Sequence, residues 1–154
     1  MLTSDIREEI DRVLKIIGKH SDSAVQQMNG IAAVESDYGQ NLTQIGGGPA
    51  LGIFGIEPRT ALEVWNHSAR RRPERFRHLL DLMVMGDMEH NLENHIPFQV
   101  AMARYILWRI PEPLPEFDDI MGQARYWKKY WNTEAGKGTI GKYVEKYGRH
   151  VLAE

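Results

Sequence analysis

Glu35 is the residue whose type and position are suited to chemistry. Val25, Met28, Ile31 and Ala32 recur at helical spacing, and Glu35 falls on the same stripe, seven residues past Met28 and four past Ile31. Most glutamates are solvated, so an acid on an apolar stripe needs a partner or a task. Burial disfavours the charged carboxylate and raises its pKa, which lets the group carry a proton near neutral pH. Such a group can act as a general acid, protonating a leaving oxygen such as that of a glycosidic bond. The glycine-rich residues 39–49 follow directly, as a turn in front of the acid. The same periodicity also fits a structural carboxylate that caps a neighbouring helix or pairs with an arginine, and the residues themselves leave both readings open.

The elements that must position this acid read as helices. Ile6, Ile10, Val13, Leu14 and Ile17 predict a first helix, with Ser4 or Asp5 as its cap and Gly18 as its stop. Ser21–Ser23 offer the cap of the second, which carries Glu35. Residues 39–49 predict a loop or irregular hairpin, and residues 50–56 either a short strand or a buried helical turn. Pro58 suits the first turn of a helix bearing Ala61, Leu62 and Trp65, and Pro73 opens another with Phe76, Leu79, Leu80 and Met83. Pro97 begins the strongest helix, whose wide stripe of Ile96, Val100, Met102, Ala103, Ile106, Leu107 and Ile110 predicts burial around much of its circumference. The PEPLPE run at 111–116 reads as a stiff connector within one domain. Ile120, Ala124, Trp127 and Trp131 mark a further helix, and Thr139 caps a last one with Ile140, Val144, Tyr147 and Val151. The expectation is a single, mainly α domain over residues 1–154, of about seven helices with at most a minor β element.

Composition narrows the function classes. The 154 residues contain no cysteine, which excludes a disulfide framework, a thiol nucleophile and a thiolate metal site. No apolar run reaches the roughly 20 residues of a membrane span, and the charged, amphipathic N-terminus has no signal-peptide core. The net charge of −2 hides two basic clusters, one at Arg70, Arg71, Arg72, Arg75 and Arg77 and one spread over residues 122–149. Either suits an anionic surface, nucleic acid or cell wall, and either also fits solvated helix faces. Near-neutral overall charge and the lack of a DNA-reading motif argue against a nucleic-acid partner. The triplet Gly46–Gly48 lacks the Lys-Ser/Thr of a phosphate loop. Glu89, His90, Glu93 and His95 lack the spacing of a zinc site. No cofactor and no metal are expected.

Two ordered motifs resemble the lysozyme-like superfamily. VESDYG (34–39) followed by GGPALGIFGIEPRTA (47–61) is most similar to lytic transglycosylases and goose-type lysozymes, especially small phage-encoded ones. In those families a Glu-Ser pair ends a helix, and a Gly-Ala/Leu-x-Gly-x-x-Gln-x-x-Pro-x-Thr stretch lines the sugar cleft. Glu35 and Ser36 match the first motif, and Ala50, Leu51, Gly52, Pro58 and Thr60 match most of the second. Residues 93–96 and the YWKKYWNTEAGKGT segment (126–139) extend the likeness, which covers about residues 24–147. One position departs: Gly55 stands where the family commonly has Gln.

The resemblance implies a lysozyme-like fold and a glycosidase that cleaves the β-1,4 MurNAc-GlcNAc bond of peptidoglycan, with Glu35 as catalytic acid. Ser36, Tyr38, Gly52, Ile53, Phe54, Glu57, Tyr130 and Asn132 are the candidate substrate-binding residues. Tyr130 and Asn132 are placed across the cleft, while Trp127 and Trp131 are assigned to the core. Lytic transglycosylases manage with one acid, because the substrate's own acetamido and 6-hydroxyl groups do the nucleophilic work, so the likeness requires neither Asp37 nor Glu57 as a second carboxylate. A phage endolysin or virion-associated enzyme follows from the likeness, reaching the wall from the host cytoplasm through a holin or as part of the virion. The alternative is a phage structural or wall-binding module of lysozyme fold that has lost turnover, a reading that Gly55 favours.

Overall fold

The structure, a computed structural model, describes residues 3–42, 48–132 and 136–152. It is mainly helical. Among the described residues there are eight α-helices: α1 (Thr3–Ile16), α2 (Asp22–Ser36), α3 (Pro58–Val64), α4 (Pro73–Leu82), α5 (Met88–Asn94), α6 (Ile96–Trp108), α7 (Ile120–Trp127) and α8 (Ile140–Tyr147). Three of them, α3, α7 and α8, run on into single π-helical turns at Trp65–Ala69, Lys128–Asn132 and Gly148–Leu152. No helix is long and apolar enough to cross a membrane among the described residues.

Two helices form the centre. In α2 every residue from Gln27 to Ala33 is buried, so this helix is enclosed on all sides and does not carry the one-sided stripe that its spacing suggested. Helices α1, α6, α7 and α8 all pack on it. Gly30 is what lets α8 cross so closely, because a Cβ there would lie 1.9 Å from the Tyr143 hydroxyl oxygen. The second central helix is α6, buried without interruption from Phe98 to Ala103 as its wide stripe predicts.

Local signals placed most of the helix ends. The Ser21 side chain accepts from the Ala24 N–H at 3.0 Å, and Thr139 accepts from the Lys142 N–H at 3.1 Å. Gly18 adopts φ +70 just past α1. Ser4 and Asp5 are not the cap of α1, since the helix already begins at Thr3. Leu62 is exposed at 44% because the seven-residue α3 turns Ala61 and Val64 inward instead. Met83 lies beyond the end of α4, and the Leu80 side chain is outside the described residues. The expected count of seven missed α5, a short polar helix with only Met88, Asn91 and Leu92 buried and therefore without a readable stripe. It is capped by Asp87, whose Oδ1 accepts from the His90 N–H at 2.8 Å.

Residues 51–56 form neither of the two expected elements. Leu51 and Ile56 exchange both backbone hydrogen bonds at 3.0 Å, an isolated antiparallel bridge that closes a tight turn. Gly52 and Gly55 supply its positive φ values of +77 and +59. Of the preceding loop, residues 43–47 lie outside the described residues, and with them Gly46 and Gly47 of the glycine triplet.

Candidate active site

Glu35 sits in the last turn of α2, half-buried and not sealed into the core. Its Oε1 accepts a hydrogen bond from the Trp127 indole N–H at 3.2 Å. Its other oxygen faces Gly55, where a Cβ would stand 2.9 Å from Oε2. Burial pushes the carboxyl up from its ordinary 4.5 to about 7, against the smaller downward pull of the indole hydrogen bond. No cation pairs with it among the described residues, so the arginine partner that the sequence left open is not there. Near neutral pH this carboxyl exists in both protonation states, as a group must that gives up a proton and takes one back.

Gly55 has a steric reason to be glycine. The turn brings its backbone against Glu35, and any longer side chain built from that Cα meets the carboxylate first. A glutamine amide has no room there in this arrangement.

The end of α2 is locked in place by several ties. Ser36 is fully buried; its hydroxyl lies 2.9 Å from the Ala32 carbonyl and 2.7 Å from that of Ile53, and accepts from the Gly39 N–H at 2.8 Å. One small side chain thus joins the helix end to the glycine turn. From the far side, the Gln99 Oε1 of α6 accepts the Ile53 N–H at 2.9 Å. Asp37 and Tyr38 both take left-handed conformations, φ 49 and 57, which is uncommon for residues other than glycine. Asp37 is compensated by ion pairs to Lys146 and to His150 Nε2, the latter at 3.4 Å. Burial raises the Asp37 carboxyl, but Lys146 and His150 outweigh it and hold the group below its ordinary range. Asp37 is therefore engaged with α8 and the turn after it.

The expected site residues divide into two groups. Ser36, Gly52, Ile53 and Phe54 are brought against the Glu35 end of α2, but all four are buried, and the Ile53 N–H, the Ile53 carbonyl and the Phe54 carbonyl are already engaged by Gln99, Ser36 and Trp131. Tyr38 is only 1% exposed and donates its hydroxyl to Asn29 Oδ1, which corrects its placement as a sugar-contacting ring: the left-handed backbone turns it inward. Glu57 is half-buried at the start of α3, makes no capping bond and has Arg59 at 3.9 Å. Tyr130, in the π-helical turn after α7, packs on the PEPLPE connector, donating to Glu112 Oε1 at 3.1 Å with its ring 4.8 Å from that of Tyr126. Asn132 accepts from Lys128 Nζ at 2.7 Å, and the same amine donates to the Gly136 carbonyl at 3.0 Å.

Trp127 and Trp131 are the residues that sequence reasoning assigned to the core and that the structure ties to the site. Trp127 is indeed buried, yet its one polar atom meets Glu35. Trp131, in the π-helical turn, donates to the Phe54 carbonyl at 3.1 Å. The two indoles clamp the acid and the turn facing it. The available signal was chemical: a buried indole N–H needs an acceptor, and Glu35 was the acid already marked for burial.

Trp127→Phe is expected to make Glu35 an acid up to about tenfold weaker, since the hydrogen bond lowers the carboxyl pKa and burial would then act unopposed. Carboxyl-carbon NMR titration of the two proteins measures it. A midpoint that does not rise would show that the indole bond leaves the charge state alone.

No group of three or more histidines and carboxylates converges to hold a metal ion among the described residues. No family model matches the chain, and neither the curated proteins nor the solved structures contain a match to it.

Proposed function

We propose that this chain is a lysozyme-like glycosidase that cleaves peptidoglycan between MurNAc and GlcNAc, with Glu35 as its single acid and base. The observation that carries the reading is the state of Glu35: half-buried, unpaired by any described cation, held by an indole N–H and poised to titrate at about 7. A carboxyl kept protonated in an apolar setting beside a tryptophan is the arrangement that general-acid glycosidases use. Its position agrees with the sequence resemblance, which places the acid at a helix end ahead of a glycine turn.

In this mechanism protonated Glu35 gives its proton to the glycosidic oxygen as the C–O bond breaks, and the substrate's own acetamido group stabilises the sugar cation. The carboxylate then takes the proton of the 6-hydroxyl, which closes on C1 and leaves a 1,6-anhydro end. Water in place of the 6-hydroxyl would give hydrolysis. Asp37 does not act as a second carboxylate, because Lys146 and His150 occupy it. An endolysin or virion-borne enzyme of a phage is the setting this chemistry suits.

Mass spectrometry of soluble fragments released from purified peptidoglycan by the wild type and by Glu35→Gln tests the reading. Disaccharide-peptides from the wild type alone support it, and anhydro ends, one water lighter, identify the transglycosylase. No release from several wall types sinks it. The second reading, a wall-binding module without turnover, rests on Gly55, which leaves no side-chain amide beside Glu35; wall binding without fragment release is its signature.

A further inference from the structure

A pocket of about 340 Å³ opens among α4, α6 and the π-helical turn after α3, and none of the residues tied to Glu35 lines it. It sets Arg71, Arg72, Arg75 and Arg109 beside the rings of Phe76 and Trp108. Arg109 has an acid partner, Glu63 at 3.3 Å. Arg71, Arg72 and Arg75 make no ion pair and no side-chain hydrogen bond among the described residues. A further cation stands beside them: Lys19 Nζ lies 3.6 Å from the centre of the Trp108 ring, and burial first, then the nearby Arg104 and Arg75, disfavour its charge. Like charges without paired carboxylates repel, and an anion in the pocket relieves that repulsion.

The chemistry of the pocket narrows the ligand. Guanidinium forks match the paired oxygens of phosphate and hold them with charge-assisted hydrogen bonds. Trp108 is 38% exposed, an apolar ring surface beside the arginines. The volume is at the small end of the range for small-molecule sites, room for one phosphorylated unit. We infer that this pocket binds a phosphate ester, its anionic oxygens on Arg71, Arg72 and Arg75 and its sugar or polyol part against Trp108. A free phosphate ester and a phosphorylated unit of a wall polymer present the same group. The site stands apart from the Glu35 reading and does not depend on it.

Inorganic pyrophosphate titrated into the 154-residue chain at constant ionic strength is the probe, followed by the Trp108 indole N–H signal in a proton–nitrogen NMR spectrum. The signal, assigned with Trp108→Phe, is expected to move saturably in the millimolar range or below while that of Trp127 stays still. Arg71→Ala with Arg75→Ala should weaken binding by about tenfold or more, and Arg71→Lys with Arg75→Lys should recover part of it, because charge returns without the fork. Glu35→Gln should bind as the wild type does, so failure of the glycosidase reading leaves this result standing. Sedimentation with walls before and after removal of their phosphate polymers separates the sources: binding lost on stripped walls assigns the polymer, and wall binding unchanged assigns the free ester. A shift that never saturates, or one that the alanine pair leaves intact, overturns the proposal. Steeply salt-dependent binding of a single-stranded oligonucleotide, with shifts spreading beyond the pocket, overturns it in favour of a nucleic-acid surface.

Discussion

Glu35→Gln is expected to stabilise the protein at alkaline pH and, on the glycosidase proposal, to remove its turnover. Glu35 titrates at about 7 in the folded chain against an ordinary 4.5, so between those values the folded state holds a proton that the unfolded state has released. Stability therefore falls as pH rises through this window, and above it the full penalty of ionising a buried carboxyl is present. The size is about 3 kcal/mol, from about 1.4 kcal/mol for each tenfold change in acidity. Glutamine keeps an oxygen for the Trp127 N–H and has no charge to bury. Thermal melts of both proteins should show the variant several degrees more stable at pH 8, the gap closing as pH drops and vanishing below pH 4.5. A gap independent of pH would mean that Glu35 is not held protonated.

The same substitution should lower fragment release from peptidoglycan by about 10²–10⁴-fold, the usual worth of a positioned general acid. If Glu35 is the proposed acid, wild-type release should decline as pH rises through about 7, where its carboxyl loses its proton. Opposite signs for stability and activity at one residue are the mark of a group strained for function. A purely structural glutamate would lose stability on substitution and show no such pH window.

Gly52→Ala should be among the most damaging single changes in the chain. Its φ of +77 is costly for any residue with a Cβ, and that Cβ would lie 2.2 Å from the Leu92 carbonyl oxygen and 2.3 Å from Gln99 Oε1. The first obstacle is backbone and cannot swing aside. The second is the oxygen that anchors Ile53. Strain plus overpacking amounts to roughly 3–5 kcal/mol, a fall in melting temperature of about 10 °C or more. Gly18→Ala supplies the control, because Gly18 has φ +70 with nothing within 4 Å of its would-be Cβ. It should cost only about 1 kcal/mol, the strain alone. Equal losses at the two positions would refute the close approach at Gly52.

Such differences between two glycines cannot be read from sequence, where Gly18 and Gly52 look alike. Both are turn signals. What separates them is whether another element lies against the turn, and at Gly52 that element is α5 and α6, which arrive some 40 and more residues later in the chain. Leu62 teaches the same lesson at smaller scale, since in a seven-residue helix a small rotation exchanges the buried and exposed faces.

What the sequence determined by itself is local. Serine and threonine caps, proline at the start of α3 and α4, and the glycine after α1 act over three or four residues, and they marked the helices correctly. The acid on the apolar run of α2 was equally visible, because helical period alone relates Glu35 to Met28 and Ile31. Only the tertiary structure decided what meets that acid. Trp127 is 92 positions away and Trp131 is 77 from Phe54, and an indole on an apolar stripe reads the same whether its N–H faces a core carbonyl or a titrating carboxyl. Tyr38 went inside because two left-handed residues turn the chain there, held by Lys146 and His150 of a segment more than 100 positions on. Periodicity says which face of a helix is apolar. Packing says what that face touches and how far it is buried, and the raised pKa of Glu35 follows from the burial.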